Sequence, residues 1–393
     1  MKKTFINKVS AVWQRELRRV ARRPVYFFAP VFILLFCYIF FLTFMKEGLP
    51  NALPTGVVDL DNSVVSRTLV RNFDATAQTR IVKHYAGYAE ARDGMQRGEI
   101  YAFVVIPADF EKKLQSNRQP ELTFYVNDAY LIAGSLSLKD LTYMSQLSGA
   151  SIQKKVLEAR GVVDEEQQMA ILQPIAVDSH LVANPWANYA VYLLNVLLPG
   201  VLQLVVLMIT IFSLGMELKE RTGPEWMQTA SHSLVAALTG KLLPYTILFT
   251  ALGICGNIVL YRFMHFPMNG SLAWMFLATF LFVLAHQAIG IFLIGLFPVL
   301  RDAISLAAFY GLLGFTYAGF TFPIEAMPHN VQVFAHLFPI RHYFLIYVNE
   351  ALHAADIRYS VIRFAAMAAF LILPLLVIRR FKKAVVLLNF PTK

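Results

Sequence analysis

Apolar residues dominate residues 25–45, and again about 188–215, 234–261, 271–298, 303–322 and 358–378. Runs of about 20 apolar residues cover the roughly 30 Å of a bilayer's hydrocarbon. The pattern predicts a mainly α membrane protein with six transmembrane helices. Residues 46–186 read differently. Short strand-like stretches at 55–59, 79–84, 101–106 and 121–126 alternate with stretches of helical spacing. That alternation predicts an α/β domain inserted between the first two spans. Asp61-Asn62-Ser63 offers N-cap chemistry for a helix over 64–73, and Pro107 opens another over 108–116. Further helices are expected over 88–98, over 128–160 and after Asp164. A strand over 175–183 is expected to lead back to the membrane.

The ends of the chain are patterned too. Within residues 1–24, Phe5, Ile6, Val9, Val12, Trp13, Leu17 and Val20 recur at helical spacing, with eight Lys and Arg between them. This predicts a basic amphipathic helix lying on a membrane surface and ended by Pro24. No small-residue cleavage site follows the first apolar run, so the start does not read as a secretory signal. Residues 379–393 form a second basic tail.

Charge fixes the orientation. Only 15% of the chain is charged, against about 25% in soluble domains. Residues 46–186 hold 14 Lys and Arg against 17 Asp and Glu, so the net charge of +10 resides beside the spans. Both tails are basic and six spans return the chain to the side it started from. The expectation is cytoplasmic termini and an extracytoplasmic domain at 46–186. The basic excess thus follows the membrane and does not suggest nucleic acid. Cys37 and Cys255 both lie in apolar runs, which leaves the polar domain without a disulfide.

The stretch from Pro199 to Pro244 carries the most chemistry. Its apolar run reaches Met216 and breaks into Glu217, Lys219, Glu220, Arg221, Thr222, Gly223, Pro224, Glu225 and Trp226. Charged residues cost about 2.5–3.5 kcal/mol each at the bilayer centre, so a loop at 216–233 is expected outside the membrane, its charged and aromatic residues exposed. Gly223-Pro224 is expected to end or kink any helix there. A connecting loop and a docking handle for a partner both fit these residues. Glu217-x-x-Glu220-Arg221-Thr222-Gly223-x-Glu225, followed by Gly240-Lys241-Leu242-Leu243-Pro244, resembles the cytoplasmic coupling segment of type-2 ABC transporter permeases. Thr222 precedes Gly223 here, and Pro224 follows, unlike the usual order. Gly56-Val57-Val58-Asp59-x-Asp61-Asn62-Ser63 and Val105-Ile106-Pro107-Ala108-Asp109-Phe110-Glu111 also look like the extracytoplasmic domain of a drug-export subgroup of that family.

The resemblance extends to the outer segment 323–357. Pro323, Glu325, Pro328 and Pro339 punctuate apolar residues there. The segment is too broken to span, and it is similar to the re-entrant pair of short helices in the family's last outer loop. Irregular backbone at membrane depth is tolerated only against protein or a water-filled cavity. Within the spans, Asn195, Gln203, His286 and Gln287 are polar; they suit hydrogen bonds between helices or a translocation path.

The resemblance implies a permease subunit of an exporter in the bacterial inner membrane, working by alternating access on hydrophobic or amphipathic, drug-like compounds. It implies an ABC ATP-binding subunit that holds ATP and Mg, a second permease copy or homologue, and a periplasmic membrane-fusion adaptor. No G-x-x-x-x-G-K-[ST] loop is present to hold ATP in this chain, so no cofactor and no enzyme activity are expected. Two other readings stand beside it: a membrane-anchored receptor or scaffold acting through residues 46–186, and an exporter of lipid or other envelope components.

Overall fold

A computed structural model of the chain describes residues 4–116, 118–175 and 177–387, the side chains of 25–27 aside. It divides into two compact units: Met1–Lys46 with Leu181–Lys393, and Glu47–His180. The first unit begins with α1 (Phe5–Arg22) and, past Pro24, α2 (Val25–Phe44). Val12 and Glu16 are buried on α1, while Phe5, Ile6 and Leu17 are exposed. On α2, Leu34 and Tyr38 turn inward, and Phe32, Phe36, Phe40 and Phe44 form an outward ladder of stacked rings.

The second unit runs β1 (Leu53–Asp59), α3 (Val64–Asp74), β2 (Thr79–His84), α4 (Tyr88–Gln96), β3 (Ala102–Ile106), α5 (Phe110–Gln115), β4 (Thr123–Val126), α6 (Leu131–Ala159) and α7 (Glu165–Leu172). The sheet order is β2-β1-β3-β4, with β1 parallel to both neighbours and β4 antiparallel to β3. Alternating side chains go to opposite faces. Val57, Val104 and Ile106 pack with Leu69, Phe73 and Leu141 of α3 and α6, whereas Val58 and Phe103 pack with Tyr85 and Ala91. Ser63 caps α3 as its sequence predicts, accepting from the Ser66 N–H at 3.0 Å. The strand expected over 175–183 is missing from the described residues there, which are irregular. Asp178, His180, Leu181 and Val182 are exposed, and no strand among the described residues offers them a ladder.

The first unit resumes with α8 (Tyr189–Lys219), α9 (Gly223–Thr229), α10 (Leu234–Ile258), α11 (Leu272–Leu296), α12 (Leu300–Thr316), α13 (His329–Ala335), α14 (Pro339–Ile346), α15 (Arg358–Ala369) and α16 (Leu373–Leu387). A π-helical turn at Val259–Phe263 extends α10, and a 3₁₀ turn joins α15 to α16. Four of these rods are long and apolar enough to cross a membrane: α8, α10 with its π turn, α11, and α15–α16. Six were expected. The described part of the apolar helix α2, Phe28–Phe44, is shorter. The run over 303–322 stops being helical at Thr316, so α12 has 17 residues, or about 25 Å. Two features turn the chain there: Gly319 takes φ +86, and Arg341 Nη1, from α14, donates to the Ala318 carbonyl at 3.1 Å beyond the helix end. Segment 323–357 folds as a 3₁₀ turn, α13, α14 and a second π-helical turn, Tyr347–Leu352. Pro339 sits at the start of α14, where its missing N–H costs nothing.

Candidate coupling site

Three elements of the first unit meet at the end of α8. The amphipathic helix α1 presents Val12 and Glu16 on its buried face, with Arg15 and Arg19 beside them one turn apart and Arg23 just past the helix end. α8 closes with Glu217, and Glu220 caps its end. α10 carries Gly240 and Lys241 about two turns past its start at Leu234 and, one turn further, Tyr245.

Gly240 explains how α1 comes so close. A Cβ there would lie 2.6 Å from the Val9 carbonyl oxygen and 2.7 Å from Val12 Cβ. Glycine lets the two backbones touch, and the adjacent Lys241 then reaches across. Its Nζ donates to Glu16 Oε2 at 2.5 Å and to Glu217 Oε1 at 2.8 Å. All three side chains are buried: Lys241 and Glu217 at 0% exposure, Glu16 at 3%. Tyr245 Oη and Ser213 Oγ donate to the other Glu16 oxygen at 2.8 and 3.3 Å. Glu217 also accepts from Arg15 (2.7 and 3.1 Å), Arg19 (2.5 Å) and Thr222 Oγ1 (2.5 Å). Glu220 accepts from Arg19 at 2.7 Å and from Arg23.

Burial alone would lower the Arg15 pKa; the hydrogen bond and charge of Glu217 outweigh it and hold the guanidinium above its ordinary value. Buried charges persist only when paired and hydrogen-bonded, and here every carboxylate oxygen has a donor. The cluster therefore ties α1, the end of α8 and the start of α10 into one body.

The loop expected to be exposed is half inside. Trp226 is fully buried, with Lys241 Nζ 5.6 Å from its ring centre and the Phe381 ring 6.5 Å away. Glu217 is shielded by protein and not by water. Gly223 is buried as well, and it does not take a left-handed turn: Arg221 does, at φ +58. Gly223 is required instead by a close approach, since a Cβ would lie 2.5 Å from the Val385 carbonyl oxygen of α16. Pro224, expected to end a helix, stands at the start of α9. Lys219, Arg221 and Glu225 point outward, with Glu220 and Thr222 half-buried.

Sequence reasoning missed Glu16, Arg15 and Arg19. The signal was there: Glu16 is the one acid among the first 46 residues, and it sits four residues after Val12 on the apolar stripe.

The other expected site residues lie apart from this cluster. In segment 323–357, Arg341 Nη2 donates to Glu325 Oε1 at 2.8 Å, tying α14 to the turn after Pro323. Gln332 Nε2 donates to the Glu325 and Met327 carbonyls, closing the loop around Pro328. Among the polar span residues, Asn195 accepts from Tyr261 Oη at 3.0 Å and donates to the Val191 carbonyl. Gln203 joins His286 Nε2 at 3.2 Å and donates to the Gly311 carbonyl at 3.0 Å. Gln287 accepts from Thr246 Oγ1 at 2.8 Å. All four are buried and bonded within the chain, to neighbouring helices or their own.

Residues 25–379 match the family described as ABC-2 family transporter protein. No curated protein matches the chain.

Proposed function

The chain belongs to the ABC-2 family of transporter proteins and is a multi-pass membrane permease of an ABC transporter; from that premise we propose that it is the membrane subunit of an exporter driven by a separate ATP-binding subunit. That subunit docks on the surface carrying Lys219, Arg221 and Glu225, on the cytoplasmic side with both termini. The observation that carries this reading is the buried cluster of Glu16, Glu217 and Lys241 directly behind that surface. A force applied to α9 reaches α8, α10 and α1 together, because the cluster and the buried Trp226 leave no soft joint between them. ATP-driven closure of the partner then moves the spans as a body and alternates their access. Nucleotide and Mg stay with the partner.

Unit Glu47–His180 is the extracytoplasmic part, suited to hand cargo to a periplasmic adaptor, and a second permease copy completes the path. α2 and α12 complete six spans. Segment 323–357 lies re-entrant, braced by Arg341 and Glu325. The Phe-rich walls fit hydrophobic or amphipathic cargo.

The test uses the exposed residues. Arg221→Glu with Glu225→Lys leaves the buried cluster intact, and surface changes shift stability by only about 0.5 kcal/mol. Losing an interface anchor costs about 2 kcal/mol or more, a roughly thirtyfold loss of partner affinity. The ATP-binding partner subunit should therefore no longer co-purify, and transport should fall, at unchanged thermal stability. Full partner retention in the double variant would overturn the docking surface.

A further inference from the structure

The sheet of unit Glu47–His180 ends in two edge strands that differ. On β2 the Ile81 N–H donates to Asp74 Oδ1 at 2.8 Å, and Arg80 and Lys83 put charge along the strand. Natural sheets use such charges and blocked groups to keep other strands off their edges. β4 has neither, since Thr123–Val126 holds no charge and no proline. Two bonds fix where its backbone points. The Leu60 N–H donates to the Ile106 carbonyl, toward β1, and the Asn127 N–H donates to the Tyr101 carbonyl, between β4 and β3. By alternation, Tyr125 and Thr123 exchange hydrogen bonds with Phe103 and Val105. The N–H and C=O of Phe124 and Val126 therefore point away from β3, where no strand among the described residues meets them. Beside this edge Tyr88 and Tyr125 pack on the Phe103 ring, 46% and 37% exposed.

We propose that β4 pairs, antiparallel and about a two-fold axis, with β4 of a second copy of this chain, joining two four-stranded sheets into one. The inference rests on the second permease copy proposed above. An antiparallel edge is complementary to itself. With the axis at Phe124, Leu122 of one copy meets Val126 of the other and Thr123 meets Tyr125, so no charge opposes a charge. Size selects the occupant. Covering all that Tyr88 and Tyr125 expose would bury only roughly 350 Å² of aromatic surface over both copies, against about 1,200–2,000 Å² in a stable interface. A four-residue edge with so little beside it is too small to hold a freely diffusing protein. It suits a partner already anchored alongside, whose effective concentration replaces affinity. A second copy in the same membrane is such a partner, and it carries its own β4 on the same side of that membrane.

Two measurements on the purified full chain separate the two readings. Light scattering reads whether the chain is a dimer, and cysteine cross-linking reads the edge. In a background without Cys37 and Cys255, Thr123→Cys with Tyr125→Cys sets cysteines of the two copies opposite one another as a non-hydrogen-bonded pair. Their Cα atoms lie about 4.5 Å apart, within the roughly 4.4–6.8 Å that a disulfide spans. Both positions are exposed. Mild oxidation should turn most of the chain into a covalent dimer. Either cysteine alone should not, because its copies sit on the diagonal, about 7–8 Å apart. Arg80→Cys with Val82→Cys, the same spacing on exposed residues of β2, should not cross-link either. Val126→Pro removes only an outward N–H, which an edge strand tolerates, and should abolish the cross-link at an unchanged melting temperature; Leu122→Pro repeats the test should that temperature fall. A dimer without the cross-link, an equal cross-link in a single-cysteine or the Arg80/Val82 variant, or a full cross-link in the proline variants would overturn the pairing. So would a cross-link within one copy between Tyr125→Cys and Val177→Cys, which would lay the chain's own exposed segment after α7 on the edge. A monomeric chain would overturn the second-copy reading and the pairing with it.

Discussion

Lys241→Met is the sharpest perturbation of the coupling site. Methionine matches the length of lysine and suits the apolar surroundings, so packing changes little. What changes is charge. Glu217 keeps Arg15, Arg19 and Thr222, but Glu16 loses the cation on its Oε2 and retains only the hydroxyls of Tyr245 and Ser213 on Oε1. Breaking a buried pair by removing one partner costs about 3–5 kcal/mol, because the other charge stays behind. Glu16→Gln is milder: glutamine still accepts from Tyr245, and Lys241 keeps Glu217. Losing a hydrogen bond to a charged group puts that loss at about 1.5–3 kcal/mol. In the double variant no charge is stranded on α1, so the two losses should not add; contacting residues couple by about 0.5–3 kcal/mol. At about 2–4 °C per kcal/mol for a unit of this size, Lys241→Met should lower the melting temperature by about 6–20 °C, and adding Glu16→Gln should recover part of it. A second readout isolates α1: Val12→Cys, in a background without Cys37 and Cys255, should resist a thiol reagent in wild type and react in Lys241→Met. A wild-type melting temperature for Lys241→Met, or strict additivity in the double variant, would refute the account of Glu16 as a buried charge held by Lys241.

Gly240→Ala should destabilise by about 1–3 kcal/mol, since its methyl must push the α1 backbone away at Val9; the same Val12→Cys labelling checks this. Trp226→Ala should cost about 3–5 kcal/mol of stability, as a buried aromatic truncation, and a thermal scan in which it melts like wild type would return Trp226 to the surface. A cysteine at the exposed Ser116 should react with an impermeant reagent in intact cells; labelling only after lysis would place unit Glu47–His180 inside. The purified chain alone should not turn over ATP, and turnover that survives removal of contaminating ATPases would contradict a separate engine.

Much of this protein was legible in its residues. Short apolar strand-like stretches alternating with helical spacing located the sheet and its helices, because β1 and β3 are buried on both faces and the helices on one. Ser63 announced the start of α3 by its side-chain chemistry. Apolar length marked the long spans, and the Glu-Arg-Thr-Gly stretch with Gly240-Lys241 singled out the region where α8, α9 and α10 meet α1. Where local signals ended, expectations failed. α12 stops at Thr316 because of Gly319 and Arg341, the second of which lies 25 residues further along. The loop's charges were expected in water because a membrane excludes them; protein was the alternative solvent.

That alternative belongs to tertiary structure. The sequence by itself determined which segments are apolar, where charge concentrates and which turns are chemically possible, since these depend on neighbours along the chain. Whether Glu217 faces water or Lys241 depends on α1, about 200 residues away, arriving over Gly240 with Glu16 inward. A charge's free energy is set by what surrounds it within a few ångströms, and no one-dimensional pattern records that company. Only the packed structure turned a buried acid, a buried lysine and a glycine contact into one connected body.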